Sequence, residues 1–241
     1  MLLKLLKMIR TRSAPETLSD HSALMRNTWD EYARRNAEFF IATEAKPLDQ
    51  EFKWDKAAFF HKGEDEIRSQ FREHLGKDGG FEELTVLEIG CGVGRQTRAL
   101  AKRFKHVYAL DISPEMIQRA AENLHDYTNV TLIVGSGVDL KDVPTSSVDL
   151  VFTFVVFQHI TDREITHNYF REASRVLRPK GMFLFQVRDL DVAAKSGDVW
   201  SGSDVNRDTL SQWAHESRFS ISRISGEKTH YMWALLTKSK V

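Results

Sequence analysis

Short apolar runs alternate with amphipathic segments along the chain from residue 85 to residue 189. The runs are rich in Val, Ile, Leu and Phe, and the segments between them repeat their apolar residues at helical spacing. Neighbouring parallel strands need a long crossover connection, usually a helix, so this order predicts a parallel sheet with helices on both faces. We predict strands at residues 85–90, 106–112, 130–135, 148–157 and 181–189.

Two of the intervening helices carry start signals. Ser113 offers an N-cap hydroxyl, and Pro114 stands at the first helical position. Thr161 and Glu164 have the spacing of a capping box, which predicts that a second helix begins there. The Pro-Lys-Gly sequence at 179–181 is expected to end that helix.

The two ends of the chain complete the predicted architecture. A helix at 208–217 is followed by strands at 219–224 and 230–238, which we expect to form an antiparallel pair at the sheet edge. Polar, helical sequence precedes the first strand. We therefore predict an N-terminal helical extension or lid over residues 1–80 and a main domain over residues 81–241.

Composition argues against several classes of partner. The chain has 34 basic and 34 acidic residues, so its formal net charge is zero and no global attraction to nucleic acid or to an acidic membrane is expected. No apolar run reaches the roughly 18 residues of a membrane-spanning helix, and no cluster has the spacing of metal ligands. With the single cysteine Cys91 the chain forms no internal disulfide, which suits a cytoplasmic location.

The first ten residues, MLLKLLKMIR, interrupt an apolar sequence with Lys and Arg. This pattern fits either a short helix that makes weak contact with a membrane surface or a partner, or a frayed tail. The frayed tail is the favoured interpretation. The sequence predicts no oligomeric state.

Three glycines, Gly90, Gly92 and Gly94, follow the first predicted strand at alternate positions. Glycine lets a ligand lie against bare backbone, because no Cβ stands in the way. Asp111 ends the second predicted strand about 20 residues later, the spacing at which a carboxylate receives ribose hydroxyls. The turn therefore predicts a nucleotide-type cofactor at the carboxyl ends of the first two strands.

The residues around the glycines distinguish two classes of cofactor. The dinucleotide fingerprint G-x-G-x-x-G would need a glycine where Arg95 stands. Glu88 would repel a pyrophosphate, but it would attract a cofactor that carries an amino group and a positive sulfonium. These residues favour S-adenosylmethionine over NAD, and a nicotinamide-dependent oxidoreductase is kept as the less favoured alternative.

The motifs together resemble a known family, the class I S-adenosylmethionine-dependent methyltransferases. The resemblance implies a Rossmann-like, doubly wound, seven-stranded sheet that is mostly parallel with an antiparallel edge strand. The motifs that carry it are VLEIGCGVGR (86–95), LDIS (110–113), GSGVDL (135–140), VDLVFTFVVFQHI (148–160) and RVLRPKGMFLF (175–185).

The resemblance also implies a set of cofactor contacts. Glu88 and the three glycines would face the methionine part, Asp111 would take the ribose hydroxyls, and Ile112 would pack on the adenine. Ser136 would border the adenine ring at a position where many relatives carry an acidic residue, and whether Asp139 replaces that residue is left open. The further expected contacts are Cys91, Arg95, Met116, Gly137, Val138, Thr153, Phe154 and Val155.

Some of these residues have simpler interpretations. Gly94 would serve helix–strand packing alone, and Cys91 is expected to be a small buried residue rather than a catalytic thiol. Arg95 would either stack near the site or face solvent.

His159, after the fourth predicted strand, is the candidate catalytic base, because a neutral imidazole can accept a proton at physiological pH. Its alternative role is to orient the site without transferring a proton. Trp29 and Tyr32 lie in a segment that resembles the lid helix of small-molecule methyltransferases, and they would close over the site or simply pack on the domain. Arg188 and Trp200, in a long loop, are candidate acceptor contacts.

The resemblance implies methyl transfer to a small organic acceptor, with O-methylation slightly favoured over N-methylation. Residues 157–159 are Phe-Gln-His and not the Asn/Asp-Pro-Pro-aromatic signature of enzymes that methylate amino groups of bases or glutamine. No nucleic-acid-binding module is visible, so nucleic acid is not the expected acceptor. A non-catalytic S-adenosylmethionine-binding protein is the second alternative.

Overall fold

The fold is seen in a computed structural model, which describes residues 17–42, 52–190, 199–202 and 204–239. The amphipathic segment 1–10 lies outside these residues. No helix in the described part of the chain is long and apolar enough to cross a bilayer.

Seven strands form a single sheet. In chain order they are β1 (Thr85–Ile89), β2 (His106–Asp111), β3 (Val130–Val134), β4 (Val148–Thr153), β5 (Leu177–Val187), β6 (Phe219–Ser225) and β7 (Met232–Lys238). Their order across the sheet is β3-β2-β1-β4-β5-β7-β6. The first five strands are parallel, and β7 lies antiparallel between β5 and β6. The predicted fold class is confirmed.

Helices cover both faces of this sheet. They are α1 (Leu18–Ile41), α2 (Lys56–Leu75), α3 (Arg95–Ala101), α4 (Pro114–Asn123), α5 (Arg163–Val176) and α6 (Arg207–Glu216). On one face, Phe152 of β4 belongs to the same buried cluster as Phe71 of α2 and Leu100 of α3. On the other face, Phe183 of β5 shares a cluster with Phe170 of α5. The two layers bury the sheet, which explains why its central strands are nearly all apolar.

The helix starts show one prediction confirmed and one corrected. Ser113 caps α4, since its Oγ accepts a hydrogen bond from the backbone N–H of Met116 at 3.1 Å. The cap of α5 is Asp162 and not Thr161, because Asp162 Oδ1 accepts the N–H of Glu164 at 2.7 Å. Thr161 Oγ1 lies instead 2.7 Å from His21 Nδ1 of α1.

The boundaries of β4 and β5 also differ from the predicted ones. The fourth strand was expected to continue to residue 157, but it ends at Thr153. Val155 has a positive φ of 56°, which breaks the extended conformation, and a 3₁₀ turn follows at Phe157–His159. Helix α5 ends at Val176, before the Pro-Lys-Gly sequence, and β5 begins at the next residue.

Helix α1 crosses the carboxyl ends of three strands. Ser22 Oγ donates to the carbonyl of Ser136 beyond β3 at 2.5 Å, and Asp30 Oδ1 accepts from Ser113 Oγ beyond β2 at 2.5 Å. The His21–Thr161 contact ties the same helix to the segment beyond β4. In open α/β sheets ligands bind at this end of the strands, so α1 lies directly over the expected site.

Candidate active site

A pocket opens beneath α1 at the carboxyl ends of β1, β2 and β4. It encloses about 980 Å³ of empty space, part of which is open to solvent. The predicted cofactor residues that line it are Glu88, Gly90, Cys91, Gly92, Arg95, Asp111, Ile112, Met116, Gly137, Phe154 and Val155. His159 and Trp29 also line it, so the structure brings the predicted base and one predicted lid residue to the same cavity.

Four predicted cofactor residues do not line this pocket: Gly94, Ser136, Val138 and Thr153. A Cβ on Gly94 would lie 2.7 Å from Leu124 Cδ1, so this glycine permits close helix packing. Ser136 Oγ donates to Asp139 Oδ1 at 2.6 Å, and its carboxylate partner is thereby held in the local turn. Thr153 is fully buried.

Asp111 joins the glycine turn to the start of α4. Its Oδ2 accepts the backbone N–H of Gly92 at 2.8 Å, and its Oδ1 accepts the N–H of Ser113 at 2.9 Å. Burial raises the pKa of Asp111 to about 6, although the two backbone donors favour the ionised form. Each carboxylate oxygen has a second lone-pair site, so the group can still receive hydroxyl donors from a ligand in the pocket.

Glu88 is the second buried carboxylate of the pocket. Its Oε2 accepts from Thr97 Oγ1 at 2.6 Å. Burial raises the pKa of Glu88 to about 7, and the Thr97 hydrogen bond and the charge of Arg95 oppose that rise. A cationic group of a ligand placed beside Glu88 would stabilise the charged form of this carboxylate.

Arg95 is buried and does not offer its charge to an anion in the pocket. Its Nη1 lies 2.5 Å from Glu66 Oε2 of α2 in an ion pair. Of the two interpretations of Arg95, the structure therefore supports a position at the site and excludes a solvent-facing one. The pocket presents two carboxylates and one neutralised guanidinium, which fits a positively charged ligand better than a pyrophosphate.

The roof of the pocket comes from α1, which bends at Asn36. Asn36 has an extended backbone conformation inside the helix, and its Oδ1 accepts the N–H of Phe39 at 3.3 Å, as an N-cap does. The bend brings Phe40 and Ile41 into the pocket wall. Ile41 Cδ1 would lie 3.3 Å from a Cβ on Gly92, so the roof closes directly over the glycine turn.

His159 lies in the pocket lining, beside two tryptophan rings. Its ring centroid is 5.4 Å from that of Trp29 and 5.3 Å from that of Trp200. His159 Nδ1 is 2.9 Å from the carbonyl oxygen of Val199, which can only accept, so Nδ1 carries a proton. The other ring nitrogen, Nε2, then holds the lone pair in the neutral ring.

The other predicted acceptor residues lie outside the pocket lining. Trp200 Nε1 donates to the hydroxyl of Tyr32 at 2.9 Å, and the Tyr32 ring stacks on Phe40 at 4.1 Å. Trp200 and Tyr32 therefore pack against the rings of His159 and Trp29 without lining the pocket. Arg188 pairs with Asp204 and donates to the carbonyl of Gly202, which braces the segment that carries Val199 and Trp200.

Comparison with known proteins decides the family. The profile of the family described as "Methyltransferase domain" matches residues 87–185, which include the glycine turn, Asp111 and His159. Residues 87–185 therefore carry a methyltransferase domain of the class I S-adenosylmethionine-dependent kind. The predictions of family, fold and cofactor are thereby confirmed, and the two carboxylates and glycine turn of the pocket fit a sulfonium-bearing cofactor.

Individual relatives of the chain are named for different acceptors. A 2-methyl-6-phytyl-1,4-hydroquinone methyltransferase of Synechocystis is 30% identical over 152 residues, 59% of this chain and 45% of the relative. A malonyl-[acyl-carrier protein] O-methyltransferase of Xylella fastidiosa is 32% identical over 142 residues, 58% and 47% of the two chains. The chain thus spans about half the length of the curated relatives that it matches.

The solved structures agree with the fold of this methyltransferase. The magnesium protoporphyrin IX methyltransferase of Synechocystis aligns with a TM-score of 0.65 at 17% identity, over 93% of this chain and 100% of that one. A phosphoethanolamine N-methyltransferase of Haemonchus contortus aligns with a TM-score of 0.60, over 93% of this chain and 50% of that one.

Several pocket residues of the methyltransferase were not predicted from the sequence. They are Met25, Phe40, Ile41, Ile89, Gln96, Leu110, Val156, Ile160 and Tyr169. The sequence held a signal for one group, the apolar run Phe39-Phe40-Ile41 at the end of an otherwise polar helix. Tyr169 had none, because it sits on the apolar face of α5 as an ordinary core residue would.

The stability of the methyltransferase should depend on pH through Glu88. The folded protein, with a Glu88 pKa of about 7, binds more protons than the unfolded chain, whose glutamate titrates near 4.5. The free energy of unfolding should therefore fall as pH rises through this window, and Glu88→Gln should remove roughly 2–3 kcal/mol of that fall. Urea unfolding at about pH 5 and about pH 8 measures the difference. The exposed Glu122→Gln is the control, and an unchanged pH dependence in Glu88→Gln would contradict the assignment.

Proposed function

We propose that this chain transfers a methyl group from S-adenosylmethionine to a small, neutral organic acceptor, and that a hydroxyl oxygen is its preferred methyl acceptor. The observation that supports the proposal is the lining of the pocket, which combines two buried carboxylates with a histidine among aromatic rings. Glu88 and Asp111 lie near the ends of β1 and β2, and the His159 ring packs against that of Trp29. The relative that is named for 2-methyl-6-phytyl-1,4-hydroquinone supports a small, neutral acceptor.

The site residues have the following proposed roles. When bound, S-adenosylmethionine supplies a methyl group that is already activated on a positive sulfonium. Asp111 receives the ribose hydroxyls, and Glu88 faces the cationic methionine part. Trp29 and Ile41 of the α1 roof exclude water, so that alignment within the closed pocket supplies much of the rate enhancement. We confine the proposed lid to α1, because α2 packs on the sheet, where the rings of Phe71 and of Phe152 in β4 lie 5.6 Å apart.

His159 is the proposed general base. A hydroxyl acceptor enters with its proton, and Nε2 of the neutral ring can accept that proton as the oxygen bonds to the methyl carbon. The proton thus moves from the acceptor oxygen to Nε2, while the electron pair of the broken carbon–sulfur bond stays on sulfur. Only the ring nitrogen that carries no proton can act as the base. Because Nδ1 donates its proton to the carbonyl of Val199, the base nitrogen is Nε2.

The charges of the pocket support a neutral acceptor. Apart from His159, the cationic side chain among its described lining residues is Arg95, which is paired with Glu66. An acceptor with a carboxylate or phosphate would therefore lose its hydration without gaining a counter-ion. The acidic lining residues in the described chain are Glu88 and Asp111, both on the cofactor side, so a cationic amine would also lack a partner beside His159.

A matched series of aromatic acceptors tests this proposal. Incorporation of isotope-labelled methyl would be measured for a 4-alkylphenol, the corresponding aniline, benzoate and phenyl phosphate. We expect turnover of the phenol to exceed that of the aniline and of both anions by at least about tenfold. Preferential turnover of an anionic acceptor would contradict the neutral-acceptor assignment. Cofactor binding with no transfer of labelled methyl into any of a broad set of hydroxyl acceptors would favour the non-catalytic alternative.

A further inference from the structure

Val155 has an unusual backbone conformation for a residue in the pocket wall. Its φ of 56° lies in the left-handed region, where a β-branched side chain is rarely found. Such a conformation persists only where the surrounding structure holds it. The backbone N–H of Val155 donates to Oε1 of Gln186 at 3.1 Å, so a side chain of β5 holds this turn.

Gln186 is completely buried, and its amide is used in three directions. Its Oε1 accepts from Val155, and its Nε2 donates to the carbonyl of His230 at 2.6 Å and to Oε1 of Gln158 at 3.1 Å. A backbone N–H can only donate and a backbone carbonyl can only accept. Val155 and His230 therefore define which end of the Gln186 amide is oxygen and which is nitrogen.

The orientation of Gln186 determines that of Gln158. Because Gln158 Oε1 accepts from Gln186, the NH₂ group of Gln158 is the end that faces His159. Gln158 Nε2 lies 3.4 Å from His159 Nε2, and this contact is favourable only if the ring nitrogen is the acceptor. The carbonyl of Val199 at Nδ1 independently requires the same tautomer.

We propose that Gln186 is a positioning residue, which acts through Gln158 to keep His159 as the tautomer with the proton on Nδ1 and the lone pair on Nε2. The same side chain holds the strained Val155 turn in the pocket wall. The inference rests on the proposed function, because the tautomer contributes to catalysis only if Nε2 receives the acceptor proton. The Gln158 contact of 3.4 Å is longer than a strong hydrogen bond, so a bound acceptor hydroxyl displaces it from the Nε2 lone pair during catalysis. It adds Gln186 and Gln158 to the machinery of the site, although neither lines the pocket.

The hydrogen bonds that run from Gln186 through Gln158 to His159, here called the relay, predict which nitrogen of His159 carries a proton. In the full-length protein labelled with ¹⁵N-histidine, the His159 nitrogens are identified by the loss of their signals in His159→Asn. We expect a protonated, pyrrole-like Nδ1 and an unprotonated, pyridine-like Nε2 in the wild type. A protonated Nε2 in the wild type would overturn the proposal.

Two variants then test the relay itself. Gln158→Glu keeps the acceptor for Gln186 but presents oxygen to His159, so Nε2 should become protonated and kcat should fall about tenfold with little change in the KM for S-adenosylmethionine. Gln186→Leu frees the Gln158 amide to turn, and the Nε2 resonance should shift towards the protonated position. Gln70→Leu, which removes another buried glutamine that does not line the pocket, is the control.

Failure of the relay and failure of the proposed function are distinguishable. Unchanged His159 nitrogen resonances in Gln158→Glu would overturn the relay, even in an active enzyme. Gln158 is only half-buried, so this variant should fold if the fully buried Gln186→Leu does not. The expected resonances together with an absence of methyl transfer to any acceptor would retain the hydrogen-bond relay as structure and reject its role in catalysis.

Discussion

Gly92→Val should lower the affinity for S-adenosylhomocysteine at least about a hundredfold, a loss of about 2.8 kcal/mol. Gly92 has a φ of +53° and lies at the pocket surface, where its N–H donates to Asp111. A Cβ there would meet Ile41 Cδ1 at 3.3 Å, and the two methyl groups of valine would extend into the space between the turn and the α1 roof. Calorimetric titration with S-adenosylhomocysteine measures the effect.

Two control variants separate three effects of the valine side chain: loss of space for the cofactor, backbone strain at a positive φ, and the contact with Ile41 of the α1 roof. Gly76 ends α2 with a φ of +72° and has nothing within 4 Å of its Cβ position, so Gly76→Val should cost about 1–2 kcal/mol of stability and leave cofactor affinity unchanged. In a Gly92→Ala background, Ile41→Ala removes the roof contact. Full recovery of affinity in that double variant would show that the roof, and not the cofactor, requires glycine at this position.

His159→Asn should reduce kcat by roughly 10²–10⁴-fold with a hydroxyl acceptor, while the dissociation constant of the cofactor stays within about twofold. Asparagine retains a group that can donate to the Val199 carbonyl, but it offers no nitrogen lone pair to receive a proton. Initial rates at saturating cofactor, together with a binding titration, separate the two effects.

A histidine outside the pocket provides the control for this variant. His167 of α5 is also buried, and its ring stacks on Trp213 at 4.9 Å. His167→Asn is therefore expected to lower stability without a specific loss of kcat. Wild-type turnover by His159→Asn would exclude the general-base role and leave His159 as an orienting residue.

The grouping of Asp111, Glu88 and the glycine turn at one edge of the sheet could be predicted because its signals are local in sequence. Asp111 ends a strand, and the glycines and Glu88 belong to one strand and the turn that follows it. In a parallel sheet the carboxyl ends of adjacent strands meet at one edge, so recognising the strands was enough to bring these residues together. The structure adds that Asp111 itself binds the glycine turn through Gly92.

The α1 roof and the turn at Val155 could not be predicted to the same degree, because both depend on contacts between segments that are distant in the sequence. The roof depends on the bend at Asn36, whose Nδ2 donates to the carbonyl of Phe52 at 2.7 Å, beyond any local periodicity. The turn at Val155 was hidden in an apolar run that reads as continuous strand. Its positive φ is held by Gln186, 31 positions further along the chain.

The role of the glycines in the structure also differs from the role that the sequence predicts. The sequence suggests that a ligand occupies the space each glycine leaves open, but side chains of the protein approach several of them. Val156 Cγ2 would lie 2.2 Å from a Cβ on Gly90, and Ile112 Cδ1 would lie 2.1 Å from one on Gly137. Glycine is therefore needed there for close packing of the pocket wall, a requirement that only the tertiary structure reveals.

A calorimetric titration of the protein with S-adenosylhomocysteine and, separately, with NAD tests whether this pocket binds S-adenosylmethionine. We expect micromolar binding of S-adenosylhomocysteine, no binding of NAD, and an affinity about tenfold weaker in Asp111→Asn. Asp149→Asn is the matched control, because Asp149 also accepts a backbone N–H from a neighbouring strand, that of Thr85 at 2.8 Å, but at the opposite end of the sheet. Binding of NAD instead, or equal affinities in Asp111→Asn and the wild type, would contradict the assignment of this pocket as the S-adenosylmethionine site.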